Sequence, residues 1–120
     1  LGLAFQIIDD LLDFFGDEKV TGKKIGGDIK SGVVNLPVIR ALKVSDESDV
    51  LREIVTRREV TDADIEDALE IIRNTDAIEY CKMRADGHID TARLSLPLLM
   101  KTSVGLALEQ IADFVVDRTW

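Results

Sequence analysis

Asp9, Asp10 and Asp13 place three carboxylates within five residues of an otherwise apolar run that extends from Leu3 to Phe15. A helix that only had to pack would avoid acids there. With about 100° between successive residues of an α-helix, Gly2, Gln6, Asp9, Asp10, Asp13 and Asp17 share an arc of roughly 100°, and Leu3, Phe5, Ile7, Ile8, Leu11, Leu12, Phe14 and Phe15 occupy the rest. An ordinary surface helix has the opposite proportions, a narrow apolar stripe and a broad face of mixed charge. The pattern predicts a buried helix whose acids face a polar cavity. Asp9 and Asp13, four residues apart, repel on one face, and burial raises the pKa of both unless cations compensate. A divalent cation answers both costs. Carboxylate oxygens suit a hard cation such as Mg²⁺, which is commonly shared between one or two carboxylates and the phosphates of a substrate. A solvated acidic face is the plainer alternative, and the apolar flanks argue against it.

The segment behind the acids supports the phosphate half of that reading. Five of the eight glycines, Gly16, Gly22, Gly26, Gly27 and Gly32, fall between Phe15 and Asn35, together with Lys23 and Lys24. Glycines let backbone approach an anion closely, and lysines bring point charge to it. Neither a nucleotide-binding phosphate loop nor a dinucleotide fingerprint is present. Acids and lysines together point to a metal-bridged diphosphate. Asp28, in Gly27-Asp28, is open to three roles: ligand, support for a ligand, or turn former.

These residues need elements to hold them. The first helix closes at Gly16, and Asp17 to Asn35 reads as a loop long enough to be functional in its own right. Leu36-Pro37 opens a short helix, with Pro in the first turn, carrying Val38, Ile39, Ala41 and Leu42. Asp46 or Ser48 is the expected cap of a helix with Val50, Leu51, Ile54 and Val55 on one side. Thr61 caps the next, where Ile65, Ala68, Leu69 and Ile72 recur at helical spacing and Asp62, Asp64 and Glu66 suit its N-terminal end. Thr75 or Asp76 begins a helix built on Ile78, Cys81, Ala85, Ile89 and Ala92, which Pro97 bends or breaks. A last helix from about Ser103 to near Arg118 uses Leu106, Ala107, Ile111, Phe114 and Val115. No segment sustains period-two alternation, so the expectation is all-α, a bundle of about six helices.

Composition excludes several classes. A formal net charge of −8 argues against nucleic-acid binding, which requires clustered Lys and Arg. The single Cys81 leaves no internal disulfide and, among apolar helix positions, reads as a packed reduced thiol of a cytoplasmic protein. No apolar run is long enough to span a membrane and no leader pattern is present. His88 lacks partners at ligand spacing, and Tyr80 and Trp120 read as packing residues. The apolar pattern is already running at Leu3 with no capping residue ahead of it, as for a chain that starts inside a helix.

The stretch Leu3-Ala-Phe5-Gln6-Ile-Ile-Asp9-Asp10-Leu-Leu-Asp13-Phe-Phe-Gly16-Asp17, then Thr21-Gly22-Lys23-Lys24-Ile-Gly26-Gly27-Asp28-Ile and Asn35-Leu36-Pro37, resembles the second aspartate-rich motif and following loop of the trans-isoprenyl diphosphate synthases, the polyprenyl synthetase family. The stretch from Val60 to Trp120 is similar to that family's C-terminal helices. The resemblance implies the C-terminal part of the isoprenoid synthase fold, residues 1–120 forming one partial domain with 16–35 as its active-site loop. It implies Mg²⁺ as cofactor and allylic and isopentenyl diphosphates as substrates. It makes Asp9 the direct metal ligand, supported by Asp10 and Asp13; it sets Phe5 and Gln6 beside the allylic group and gives the diphosphate contact to Lys23 or Lys24. Gln6, Lys23 and Lys24 are thus the expected catalytic residues. The chain has Val33 where a second lysine commonly follows the glycine, and no second acidic helix occurs in its 120 residues.

The reading that follows is the C-terminal part of a prenyltransferase that couples the two diphosphates and is inactive alone. A noncatalytic helical partner of a synthase and a fragment of a terpene cyclase are the alternatives. Exposed apolar surface on the first helix leads to an expected homo-oligomer.

Overall fold

The computed structural model describes residues 1–22, 24–95 and 102–117. Among them are eight helical segments and no strand: α1 (Gly2–Phe15), α2 (Glu18–Thr21), α3 (Gly27–Lys30), α4 (Leu36–Val44), α5 (Ser48–Thr56), α6 (Asp62–Arg73), α7 (Ala77–Ser95) and α8 (Ser103–Val116). The six longer helices answer the expected bundle. The expected loop between Gly16 and Asn35 is not structureless, because α2 and α3 each fold one turn inside it.

Local chemistry accounts for most boundaries. Gly16 ends α1 with its N–H on the Leu12 carbonyl at 3.0 Å. Pro37 sits in the first turn of α4, where its missing N–H leaves no bond unmade. Thr61 and Asp64 form a reciprocal capping box: Asp64 N–H donates to Thr61 Oγ1 at 3.2 Å and Thr61 N–H to the Asp64 carboxylate at 3.0 Å. Those bonds from Thr61 are the main reason the Asp64 carboxyl titrates below its ordinary value. Thr75 Oγ1 accepts from Ala77 N–H at 3.2 Å at the start of α7, and Thr102 Oγ1 accepts from Gly105 N–H at 3.1 Å at the start of α8. The start of α5 departs from expectation. Its N-cap is Glu47, neither Asp46 nor Ser48, because Ser45 Oγ takes the Glu47 N–H at 3.0 Å and shapes the turn one residue earlier. Pro97, Arg118, Trp120 and the Val115 side chain lie outside the described residues.

Two cores form. One gathers Phe14, Ile29, Val38, Leu51, Ile65, Leu69 and Ile72 among α1, α3, α4, α5 and α6. The other joins α1, α7 and α8 through Ala4, Ile7, Ile8, Leu11, Cys81, Ala85, Ile89 and Ala112. Cys81 is a packed free thiol that burial pushes up to about 12, so it stays protonated and unreactive at neutral pH. Tyr80 packs beneath the Arg40 guanidinium, 4.4 Å from ring centroid, while Arg40 makes two hydrogen bonds to Asp76 at 2.9 and 2.7 Å.

Six residues expected to pack are exposed. Ile39 and Val50 are about half exposed. On α8, Leu106, Ala107, Ile111 and Phe114 point outward, and Gly105 and Ala112 are the buried positions. The small residues Gly105 and Ala112 face α1 and α7 together with the half-buried Leu108, and Leu106, Ile111 and Phe114 are turned away.

Candidate functional site

The site is built on the outward arc of α1 and the loop folded against its end. Ala4, Ile7, Ile8, Leu11, Leu12 and Phe14 bury one side of α1. The opposite side carries Gln6, Asp9, Asp10 and Asp13, flanked by Leu3 at 64% and Phe5 at 45% exposure. The expected buried helix with its acids facing a polar cavity is therefore not what forms on this side, where Leu3 and Phe5 stand exposed. Its acids are half-buried and stand on an open face between two exposed apolar side chains.

Each carboxylate has a distinct setting. Asp10 Oδ1 accepts from Gln6 Nε2 at 2.8 Å, an i,i+4 pair that commits the Gln6 amide. Burial pushes the Asp10 carboxyl above its ordinary value; the Gln6 bond works against this, and the charges of Asp28, Asp9 and Asp13 add to the rise. Asp13 clamps the loop: its Oδ1 accepts from Gly27 N–H at 3.2 Å and its Oδ2 from Asp28 N–H at 3.1 Å. Its carbonyl takes the Gly26 N–H at 2.9 Å. Gly26 has φ +83° and a Cβ there would run into Ile65 Cγ2, so the loop can lie this close to α6 only with glycine. Asp17, last on the acidic arc, instead caps α2 by accepting from Lys19 N–H at 2.8 Å.

The structure thus gathers Asp10, Asp13 and Asp28 about one end of α1, with Asp9 close enough to act on Asp10. Asp28 lies in the first turn of α3, its N–H on Asp13 and its carboxylate accepting from Asn35. Lys24 goes elsewhere. It is exposed and lines a cleft of about 510 Å³ between the loop and α6, with Glu18, Ile25, Lys30, Ile65, Glu66 and Arg73; the α1 acids do not line it. Lys23 lies outside the described residues. His88 is half-buried on α7, away from these acids in sequence.

Among the described residues no three His, Cys, Asp or Glu side chains come together as a group that could hold a metal ion by themselves. The donor set is still suited to Mg²⁺, a hard cation that usually keeps waters and takes only one or two carboxylates, the remainder coming from phosphate oxygens. An open, half-buried carboxylate face has that form.

Two residues were missed from sequence. Arg73, in the last turn of α6, donates through Nε and Nη2 to the Phe14 carbonyl at 3.0 and 2.7 Å and so ties α6 to the end of α1. Asn35 donates from Nδ2 to Asp28 Oδ2 at 2.8 Å. Asn35 stood in the Asn35-Leu36-Pro37 motif without a role, a polar residue just ahead of the helix start; nothing in the sequence marks Arg73.

The acidic helix, the loop and the first helices behind them coincide with a family match: the model for polyprenyl synthetase matches residues 1–72. The chain belongs to the polyprenyl synthetase family. It is 38% identical over 118 residues to a short chain isoprenyl diphosphate synthase of Methanothermobacter thermautotrophicus, covering 98% of this chain and 36% of that protein. It is 37% identical to a geranylgeranyl diphosphate synthase of Saccharolobus solfataricus, again covering 98% of this chain and 36% of the relative. Among solved structures, a polyprenyl synthase from Caulobacter crescentus, complexed with calcium and isoprenyl diphosphate, superposes with a TM-score of 0.84 at 34% identity, covering 98% of this chain and 36% of that one. The all-α fold is that of the family's synthases. The chain spans little more than a third of the length of the curated relatives it matches. No helix among the described residues is long and apolar enough to cross a membrane.

Proposed function

We propose that this chain is the C-terminal portion of a trans-prenyltransferase and forms one acidic wall of the site where an allylic diphosphate is ionised and coupled to isopentenyl diphosphate. The observation that carries the reading is the open carboxylate face of α1, with the glycine-rich loop clamped to it by Asp13. Asp9 is the direct ligand, and Asp10 and Asp13 hold it and the surrounding waters in place. Bound Mg²⁺ stabilises the charge that grows on the diphosphate leaving group, an effect larger in the transition state than in the ground state. Gln6 orients Asp10 and, with Phe5, lines the allylic end of the substrate. Lys23 or Lys24 neutralises the remaining diphosphate charge; for Lys24 this requires the loop to turn from the α6 cleft toward α1. The protein is cytoplasmic and self-associates through the apolar surface left open on its helices.

Incubation with Mg²⁺, an allylic diphosphate and isopentenyl diphosphate tests this. The chain alone should give no elongated product, because it holds one acidic helix where two must face each other. A longer protein that supplies the opposing acidic helix should elongate the substrate, and Asp9→Ala in it should lower kcat by about 10²-fold or more, the scale expected for losing one stabiliser of transition-state charge. Elongated product from the chain alone overturns the fragment reading, and cyclised product from the allylic substrate alone favours a cyclase.

A further inference from the structure

We propose that Asn35 is a positioning residue of the acidic site, its buried amide holding the Asp28 carboxylate against the acids of α1. The inference rests on the reading that those acids hold a cation, and it extends the site to a residue on the far side of the loop. Asn35 is 7% exposed and occupies the N-cap of α4. Asparagine at an N-cap ordinarily accepts a hydrogen bond from the second or third N–H of the helix. Asn35 makes no such bond, in part because the second helical residue is Pro37, which has no N–H to give. The side chain turns back to donate to Asp28 Oδ2 at 2.8 Å, and its Oδ1 is left buried without a partner among the described residues. Buried polar groups are almost always satisfied, and an exception calls for a reason. The bond to Asp28 supplies it.

The Asp28 backbone is already fixed at both ends. Its N–H donates to Asp13 Oδ2 at 3.1 Å and its carbonyl accepts from Val33 N–H at 2.9 Å. Only side-chain rotation remains, and Asn35 removes it. Asn35 thereby sets where the Asp28 carboxylate stands beside Asp13, whose Oδ2 takes the Asp28 N–H. Partners of this kind, which orient a ligand without being one, typically change cation affinity 10- to 100-fold.

Mn²⁺ binding to the chain, followed by electron paramagnetic resonance, tests the proposal without any turnover. Asn35→Leu and Asp28→Asn should each weaken Mn²⁺ binding about tenfold, and the double variant should be no weaker than either single one, since both remove the same carboxylate from the site. Asn35→Ser guards against a folding defect, because serine suits an N-cap position, where Asn35 makes no cap bond to lose, but is too short to reach Asp28; it should lose the same affinity with an unchanged circular dichroism spectrum. A purely structural role would lower the unfolding temperature and leave Mn²⁺ affinity unchanged. Equal affinity of Asn35→Ser and the natural chain overturns the proposal, as does additivity in the double variant. If the natural chain binds no Mn²⁺, both this inference and the reading beneath it fall, whereas unchanged variants of a chain that binds remove only the inference.

Discussion

Helices α6 and α8 are of similar length and both carry apolar residues at helical spacing, yet they bury opposite things. α6 buries Ile65, Ala68, Leu69, Ile71 and Ile72 and turns Asp62, Glu66, Asp67 and Glu70 to solvent. α8 buries Gly105 and Ala112 and leaves Val104, Leu106, Ile111 and Phe114 more than half exposed. Apolar periodicity therefore identifies a face that must be covered but not the surface that covers it. In α6 that surface lies within this chain. In α8 the neighbours α1 and α7 take Gly105, Ala112 and part of Leu108, and among the described residues the face of Val104, Leu106, Ile111 and Phe114 stays open, as it does at Leu3 and Phe5 on α1.

The largest expected effect tests the closed side of that contrast. Ile72 is fully buried in the core shared by α4, α5 and α6, and Ile72→Ala should cost about 2–5 kcal/mol, read as a fall in urea midpoint. Thr61→Ala removes one half of the box that starts α6 and should cost about 1 kcal/mol. If Ile72→Ala proved no more costly than Thr61→Ala, α6 would be packed as loosely as α8, and the contrast would fail.

What could be read from the sequence divides along the same line. Local rules announced several outcomes, Gly16 ending α1, Pro37 in the first turn of α4 and Thr61 with Asp64 at the start of α6, and failed at α5, where Ser45 shifts the cap to Glu47. The acidic arc of α1 was equally plain, because angular position along a helix needs no knowledge of its neighbours. Orientation against a partner did not follow, since Leu106, Ile111 and Phe114 form as good a core stripe as Ile65, Leu69 and Ile72 until Gly105 and Ala112 are seen to make the contact. Long-range polar ties were the least legible. Asn35 meets Asp28 across seven positions and Arg73 meets Phe14 across 59, and neither pairing has a spacing rule behind it.

The open side is tested by association. Phe114 is 67% exposed, so Phe114→Ala should change unfolding free energy by less than about 0.5 kcal/mol. Its effect belongs in the mass. Exposed apolar patches of this kind mark contact surfaces, so light scattering at rising concentration should show self-association of the natural chain, reduced by Phe114→Asp. A monomer at every concentration would mean that the α8 face is solvated as it stands.

The smallest effect is expected at α1, which shares in both situations, closed on one side and open on the other. Burial and neighbouring acids raise the Asp10 pKa in the folded chain, so the native state holds that proton to higher pH than the unfolded state does. Stability from this group is then gained as pH falls through the folded-state value, and its ionised form costs stability above it. Asp10→Asn should be the more stable form near neutral pH, by about a few tenths of a kcal/mol given how far solvent screens a half-exposed charge, and the advantage should shrink toward about pH 4, the ordinary carboxylate range. Urea midpoints of both proteins at the two pH values read this directly. Mg²⁺ adds the sharper comparison. A cation held by these acids lowers the cost of the Asp10 charge in the natural chain and gives the asparagine variant less, so the neutral-pH advantage of Asp10→Asn should narrow as Mg²⁺ is raised; an advantage indifferent to Mg²⁺ would leave the open face of α1 merely acidic.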